Sequence, residues 1–319
     1  MDSKFVFPTH VCAVDIGGAK IARGIVTLNG SDAPVVQSVK KVPTNAKEGG
    51  KQVLATVLQA IREALARAEE LGLAISGVGI SSAGVVDPRT GDITYANELM
   101  PGWGGTALGS AVTNEFGVPC SVLNDVHAHA LGEARHGAGQ GKDSVLTVAV
   151  GTGIGGAFVN HGILMLGAHD EAGHIGHVAT PAAAGVDCPC GGTSHLEPVS
   201  AGPGIIREYV RLGGSDTLED GSALDGEKIA QAAEERSGRA LGEVLGSMCN
   251  MLDPSVIILS GSVAECGKYW HEALESAFKL QAMPPVQATP IVKGTLGGEA
   301  PLIGAAENLV LPGYLETRL

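Results

Sequence analysis

At 319 residues with 44% hydrophobic side chains, the chain exceeds the usual size of one domain and has ample material for buried cores, so two lobes are expected. A net charge of −13 argues against non-specific nucleic-acid binding, and no apolar stretch is long and unbroken enough to span a bilayer. The amino terminus lacks a signal pattern, and of six cysteines only Cys188 and Cys190 sit close together, which points to a reduced, cytoplasmic protein rather than a disulfide framework.

In chain order, Val11 to Ile16 is a short apolar run that reads as a buried strand. Gly17-Gly18 breaks it, and Ile21 to Leu28 resumes, so the pair predicts a hairpin, with Val35 to Val42 as a third strand. Leu54, Val57, Leu58, Ile61 and Leu65 recur at helical spacing and predict an amphipathic helix over residues 50–71. A strand at Ile75 to Ser82, a loop over 84–105, a helix at Thr106 to Phe116 and a strand at Pro119 to Leu123 follow. Asn124-Asp125 suits a helix start, with the helix running to Arg135. Val145 to Val150, then Gly151-Thr152-Gly153-Ile154-Gly155-Gly156 and a run to Val159, echo the strand, glycine turn and strand at Asp15. Beyond these, a helix is expected over 225–252, a buried strand at Val256 to Leu259, and at Ser260-Gly261-Ser262 a turn into another helix. The 47 glycines suggest many tight turns and close approaches of backbone to ligand.

Four groups of residues carry chemistry. Asp15, Gly17, Gly18 and Lys20 put a carboxylate and two glycines at a hairpin tip, where the backbone can approach phosphate oxygens and Asp15 can hold Mg²⁺ through water; the alternative is a bare turn. Gly151, Gly153 and Gly156 match G-x-G-x-x-G, but the strand-like Ala157-Phe158-Val159 behind them favours a second phosphate-binding hairpin over a dinucleotide fold. Asn124-Asp125, at a strand-to-helix junction, is the candidate for the carboxylate that accepts a hydroxyl proton, against the simpler reading of a helix cap. His177, Cys188, Cys190 and His195 make a Cys₂His₂ set for zinc, structural because all four positions are filled by protein; the alternative is two buried thiols beside surface histidines.

Taken together and in order, these motifs resemble the ROK family of repressors and sugar kinases over essentially the whole chain. The resemblance implies an α/β, two-lobed actin/hexokinase-like (ribonuclease H-like) fold with the active site in the interlobe cleft and a zinc-bearing segment. Residues 1–122 would form the small lobe, joined by a C-terminal helix at 303–319, and residues 123–302 a large lobe with the second phosphate loop, zinc and dimer contacts. It further implies sugar contacts at Gly84, Asn97, Asn124, Asp125, His177 and Glu197, with Asp125 as base. ATP would meet Asp15, Gly17, Gly18, Lys20, Thr152, Gly153 and Gly261, with Mg²⁺ and a structural Zn²⁺ as the metals. Two departures from the family pattern stand out. His195 replaces a third zinc cysteine, and His174 replaces a glutamate that reads sugar hydroxyls in glucokinase-like members. The string Ala172 to His177 is similar to bacterial N-acetylmannosamine kinases of sialic acid breakdown, with glucokinase and N-acetylglucosamine kinase as alternatives. The short segment before Val11 and the acidic charge count against a DNA-binding repressor, and intact Asp125 and phosphate loops count against a sugar-binding protein without catalysis.

Overall fold

In the computed structural model, residues 6–30, 32–214 and 227–311 are described. The chain forms β1 (Thr9–Ile16), β2 (Lys20–Asn29), β3 (Asp32–Pro43), α1 (Gly50–Glu70), β4 (Ile75–Ser82), β5 (Val85–Asp87), β6 (Asp92–Tyr95), α2 (Leu108–Phe116), β7 (Cys120–Asn124) and α3 (Asp125–His136). It continues through β8 (Ser144–Val150), β9 (Ile154–Asn160), β10 (Ile163–Leu164), α4 (Glu197–Ser200), α5 (Gly202–Arg211), α6 (Glu227–Leu252), β11 (Val256–Ser260), α7 (Lys268–Gln281), β12 (Ile291–Lys293) and α8 (Ala300–Val310).

From Val11 to Val14 strand β1 is an unbroken apolar run because both of its faces are covered. Cys12, Val14 and Ile16 pack into a core with Val53, Val57 and Ile61 of α1, while Val11 and Ala13 pack into a second core with Leu302, Ile303 and Ala306 of α8. A two-sided burial of this kind erases the alternation of a half-exposed strand. The sheet between these helices has the order β3-β2-β1-β4-β7, with β1 antiparallel to β2, β2 antiparallel to β3, and β1, β4 and β7 parallel. A second sheet has the order β10-β9-β8-β11-β12, with β8, β11 and β12 parallel. The two sheets therefore repeat one plan, a hairpin-linked trio followed by two parallel additions.

The chain divides into two compact units: residues 1–142, 158–172 and 294–319, and residues 143–157 and 173–293. The division differs from the boundary at 122/123 expected from motif order. Helix α3 stays with the first unit because it packs on α8, where Gly132 and Gly304 bring the two backbones together: a Cβ on Gly304 would collide with the carbonyl of Ala128. Helix α8 begins at Ala300 rather than 303 and ends at Val310, and residues 312–319 of the expected helix lie outside the described residues. The segment read as a loop over 84–105 contains the small β5–β6 hairpin. The turn after β11 opens into a 3₁₀ segment at Ser262–Glu265 before α7 begins. Among the described residues no helix is long and apolar enough to cross a membrane.

Candidate active site and metal centre

Parallel pairing sets one residue of β1 beside one of β4 and one of β7. Asp15 pairs with Ser81, and Ser82 with Asn124, so the carboxyl ends of three strands carry polar groups side by side, where open α/β sheets bind ligands. Ser81 Oγ donates to Asp15 Oδ1 at 2.7 Å. Burial raises the pKa of Asp15, against the opposing pull of Ser81 and Lys41. Asn124 adopts extended backbone and caps α3, its Oδ1 accepting from the N–H groups of Val126 (3.0 Å) and His127 (3.2 Å). Its Nδ2 donates to the carbonyl of Gly84 at 2.9 Å. Gly84 sits at φ +98°, and a Cβ there would press on the carbonyl of Tyr95, so this turn requires glycine.

Asp125, first residue of α3, accepts from the N–H of Val126 at 2.9 Å. Its pKa is pushed up to about 6 by burial and by the like charge of Asp15, against the hydrogen bonds from Val126 and Asn124. The capping role expected as the simpler reading belongs to Asn124, which leaves the Asp125 carboxylate to be explained otherwise. Gly17 donates to the carbonyl of Lys20 at 3.0 Å and accepts from Thr44 Oγ1 at 2.6 Å, so the turn is braced from β3's end while Gly18 and Lys20 are exposed. Asn97 is exposed and folds back on its own turn, Oδ1 accepting from Leu99 N–H at 3.0 Å. Gly84, Asn97, Asn124, Asp125, Asp15, Gly17, Gly18 and Lys20 all belong to the first unit.

The second unit carries the others. Thr152 and Gly153 are exposed at the turn between β8 and β9, with Gly151 N–H bonded to the carbonyl of Gly153 at 2.9 Å. Glu197, at the start of α4, accepts from Ile154 N–H at 2.8 Å and so buttresses this turn. Gly202 N–H reaches the carbonyl of Gly151 at 2.9 Å from the start of α5. Gly261, at φ +89°, presses against the backbone of Val150. The His174 and His177 rings stack with centroids 6.2 Å apart and planes 13° from parallel. Sequence reasoning missed Ser81 and the α5 start at Gly202; Ser81 was readable only as the last-but-one residue of a strand, and Gly202 carried no local signal.

His177, Cys188, Cys190 and His195 offer ligand atoms all within 4.8 Å of one another. Cys188 Sγ lies 3.7 Å from His177 Nδ1, and Cys190 Sγ lies 3.2 Å from His195 Nδ1. Tetrahedral zinc with sulfur and imidazole ligands requires ligand-to-ligand edges of roughly 3.3–3.8 Å. The donor set and its spacing thus fit zinc. The segment is shaped for it by backbone bonds, Cys188 N–H to Gly192 carbonyl at 2.8 Å and Gly191 N–H to Cys188 carbonyl at 2.9 Å.

A model of the ROK family matches residues 11–310. The chain is similar to a glucokinase of Halalkalibacterium halodurans, 29% identical over 310 residues, covering 91% of this chain and 92% of the other. It is similar to an N-acetylmannosamine kinase of Yersinia pseudotuberculosis, 28% identical over 298 residues, covering 92% and 96%. A solved ROK family glucokinase from Streptomyces griseus, in complex with glucose and AMPPNP, matches with a TM-score of 0.77 at 27% identity, over 94% of this chain and 99% of that one. Relatives named for two different sugars match almost equally, so identity alone does not choose the sugar. With the family's motifs on the ends of two sheets of one plan, the chain belongs to the ROK family and is one of its ATP-dependent sugar kinases.

Proposed function

We propose that the chain transfers the γ-phosphoryl group of ATP to the 6-hydroxyl of N-acetylmannosamine, giving N-acetylmannosamine 6-phosphate in sialic acid breakdown. Asp125 accepts the hydroxyl proton as the sugar oxygen bonds to the γ-phosphorus and ADP departs with the electrons of the broken bond. A carboxylate with pKa about 6 is ionised at neutral pH yet basic enough to take a proton in the transition state. Gly84, Asn97, Asn124, His177 and Glu197 contact the sugar, and Gly17, Gly18, Lys20, Thr152, Gly153 and Gly261 meet the nucleotide. The oxygens of Asp15 suit Mg²⁺ held through water, and that ion supplies charge neutralisation on the phosphates. Zinc on His177, Cys188, Cys190 and His195 supplies stability to the segment bearing His174, with no open ligand position. The enzyme works as a cytoplasmic homodimer in this reading.

The observation that carries the choice of sugar is His174, stacked on the zinc-segment ring of His177. A carboxylate in its place accepts hydrogen bonds from hydroxyls but sets acceptor against acceptor when facing an acetamido carbonyl. An imidazole donates as well as accepts, so it both removes the repulsion and adds a bond. His174→Glu is expected to move the kcat/KM ratio towards glucose by roughly 10–100-fold without changing the KM for ATP. The test is a coupled ADP-release assay of parent and variant on glucose, N-acetylglucosamine and N-acetylmannosamine. A parent that prefers glucose, together with an unchanged ratio in the variant, rejects the acetamido sugar and leaves the glucokinase reading, which the Halalkalibacterium relative favours.

A further inference from the structure

Helix α3 begins with Asp125, and two of its other side chains are buried and polar: His127 is 3% exposed and Glu133 is wholly buried. Both reach backbone at the places where the chain passes between its units. His127 Nε2 lies 2.9 Å from the carbonyl of Ala172. A carbonyl only accepts, so Nε2 carries the hydrogen. Ala172 is the last residue of its segment of the first unit, directly before the Gly173–His177 stretch. The Glu133 carboxylate accepts from three N–H groups: Ala138 at 3.0 Å, Thr295 at 3.1 Å and Leu296 at 2.8 Å. Ala138 lies four residues before the chain leaves the unit at Lys142, and Thr295 and Leu296 follow its return at Gly294. One helix therefore fixes three of the chain's crossing points by two buried side chains, and the same helix presents Asp125.

We propose that His127 and Glu133 are positioning residues that tie α3, and with it the Asp125 carboxylate, to these crossing points; this rests on the reading of Asp125 as the base. A buried side chain that only stabilised the fold would change melting behaviour and leave kcat per folded molecule intact. A positioning residue changes kcat, because a displacement of about 1 Å at a reacting group costs on the order of 10²-fold. In the proposed function the nucleotide is held by the glycine turns, and the bonds to Ala172, Ala138, Thr295 and Leu296 lie outside those turns.

The test compares His127→Phe, which fills the space without a donor, with His127→Gln, which restores an N–H, and adds Glu133→Gln, which sets a donor against one of the three N–H groups. His127→Phe and Glu133→Gln are expected to lower kcat roughly 10–100-fold with the KM for ATP within about twofold, and His127→Gln to return within about threefold of the parent. A folded His127→Phe enzyme with parental kcat, or a His127→Gln enzyme no better than it, overturns the proposal. Should the variants not fold, amide hydrogen exchange on the unaltered protein decides. The Ala138, Thr295 and Leu296 amides are expected to be strongly protected, and exchange at the rate of exposed loops overturns the proposal. If Asp125→Asn is inactive while His127→Phe is unaffected, the base stands and the positioning role falls; if Asp125→Asn remains active, it is the base assignment that falls.

Discussion

Gly18 and Gly261 are glycines for different reasons. Gly261 has φ +89° and its missing side chain leaves room for the backbone of Val150, so the fold itself demands it. Gly18 lies outside the positive-φ region, and a Cβ there would meet nothing within 4 Å. In the proposed function the space it leaves is taken by a phosphate of ATP. Gly18→Ala is therefore expected to melt with the parent but to raise the KM for ATP by roughly 5–30-fold, the equivalent of about 1–2 kcal/mol of lost phosphate contact. An unchanged KM would remove Gly18 from the phosphate turn. Asp125 yields a pH prediction. Its pKa in the ligand-free protein is raised to about 6, so the base is lost by protonation as pH falls through that value, and kcat/KM for the sugar should drop about tenfold per pH unit below it. The same shift means that the folded state disfavours the ionised carboxylate above its ordinary range. Asp125→Asn should then be more stable than the parent at pH 7, by about 1–2 kcal/mol once solvent screening of a half-buried group is discounted. A lower Tm for that variant would contradict this account of the raised pKa.

Helices α6 and α7 show what the glycine excess is for at the level of elements. Gly238, Gly242 and Gly246 recur every fourth residue on α6, and each faces backbone of α7, at Trp270, Leu274 and Phe278 in turn. The two backbones touch along this stripe, and the contact is locked by Trp270 Nε1 donating to Ser237 Oγ at 2.9 Å. Backbone does not yield as a side chain does, so Gly242→Leu should cost about 3 kcal/mol or more, read as a lowered urea midpoint. Strands and helices of this length were legible in the sequence because their apolar spacing is set locally: β4 runs from Ile75 to Ser82 as expected, and α3 starts at Asp125. What was not legible is short or non-local. β5, β10 and β12 have two or three residues each, too few for any period to register. The assignment of α3 to the first unit depends on Gly132 meeting α8 at Ala300 and Gly304, far away in sequence. Likewise the motifs named Asp15 and Asp125 separately, but only strand register brought them close enough for one to raise the pKa of the other.

At the scale of the whole molecule, the weak echo of strand, glycine turn and strand became two five-stranded sheets of one order, each with a glycine turn after its first long strand. The Cys/His segment belongs to the second unit and contains few regular elements, so a zinc ion held there, as proposed, would supply much of its order. Elemental analysis should find one zinc per chain. Chelation should lower Tm and, because the ring of His177 stacks on His174, raise the KM for sugar; a metal-free enzyme as stable and active as the parent would show that the cluster is not a zinc site. In the proposed function everything turns on one carboxylate, Asp125, as the base of a sugar kinase. The most direct measurement is kcat of Asp125→Asn beside the parent, by ADP release with the preferred sugar at saturation. A loss of about 10²–10⁴-fold or more is expected in a protein that still folds and binds ATP, and near-parental turnover would remove Asp125 from the role of base.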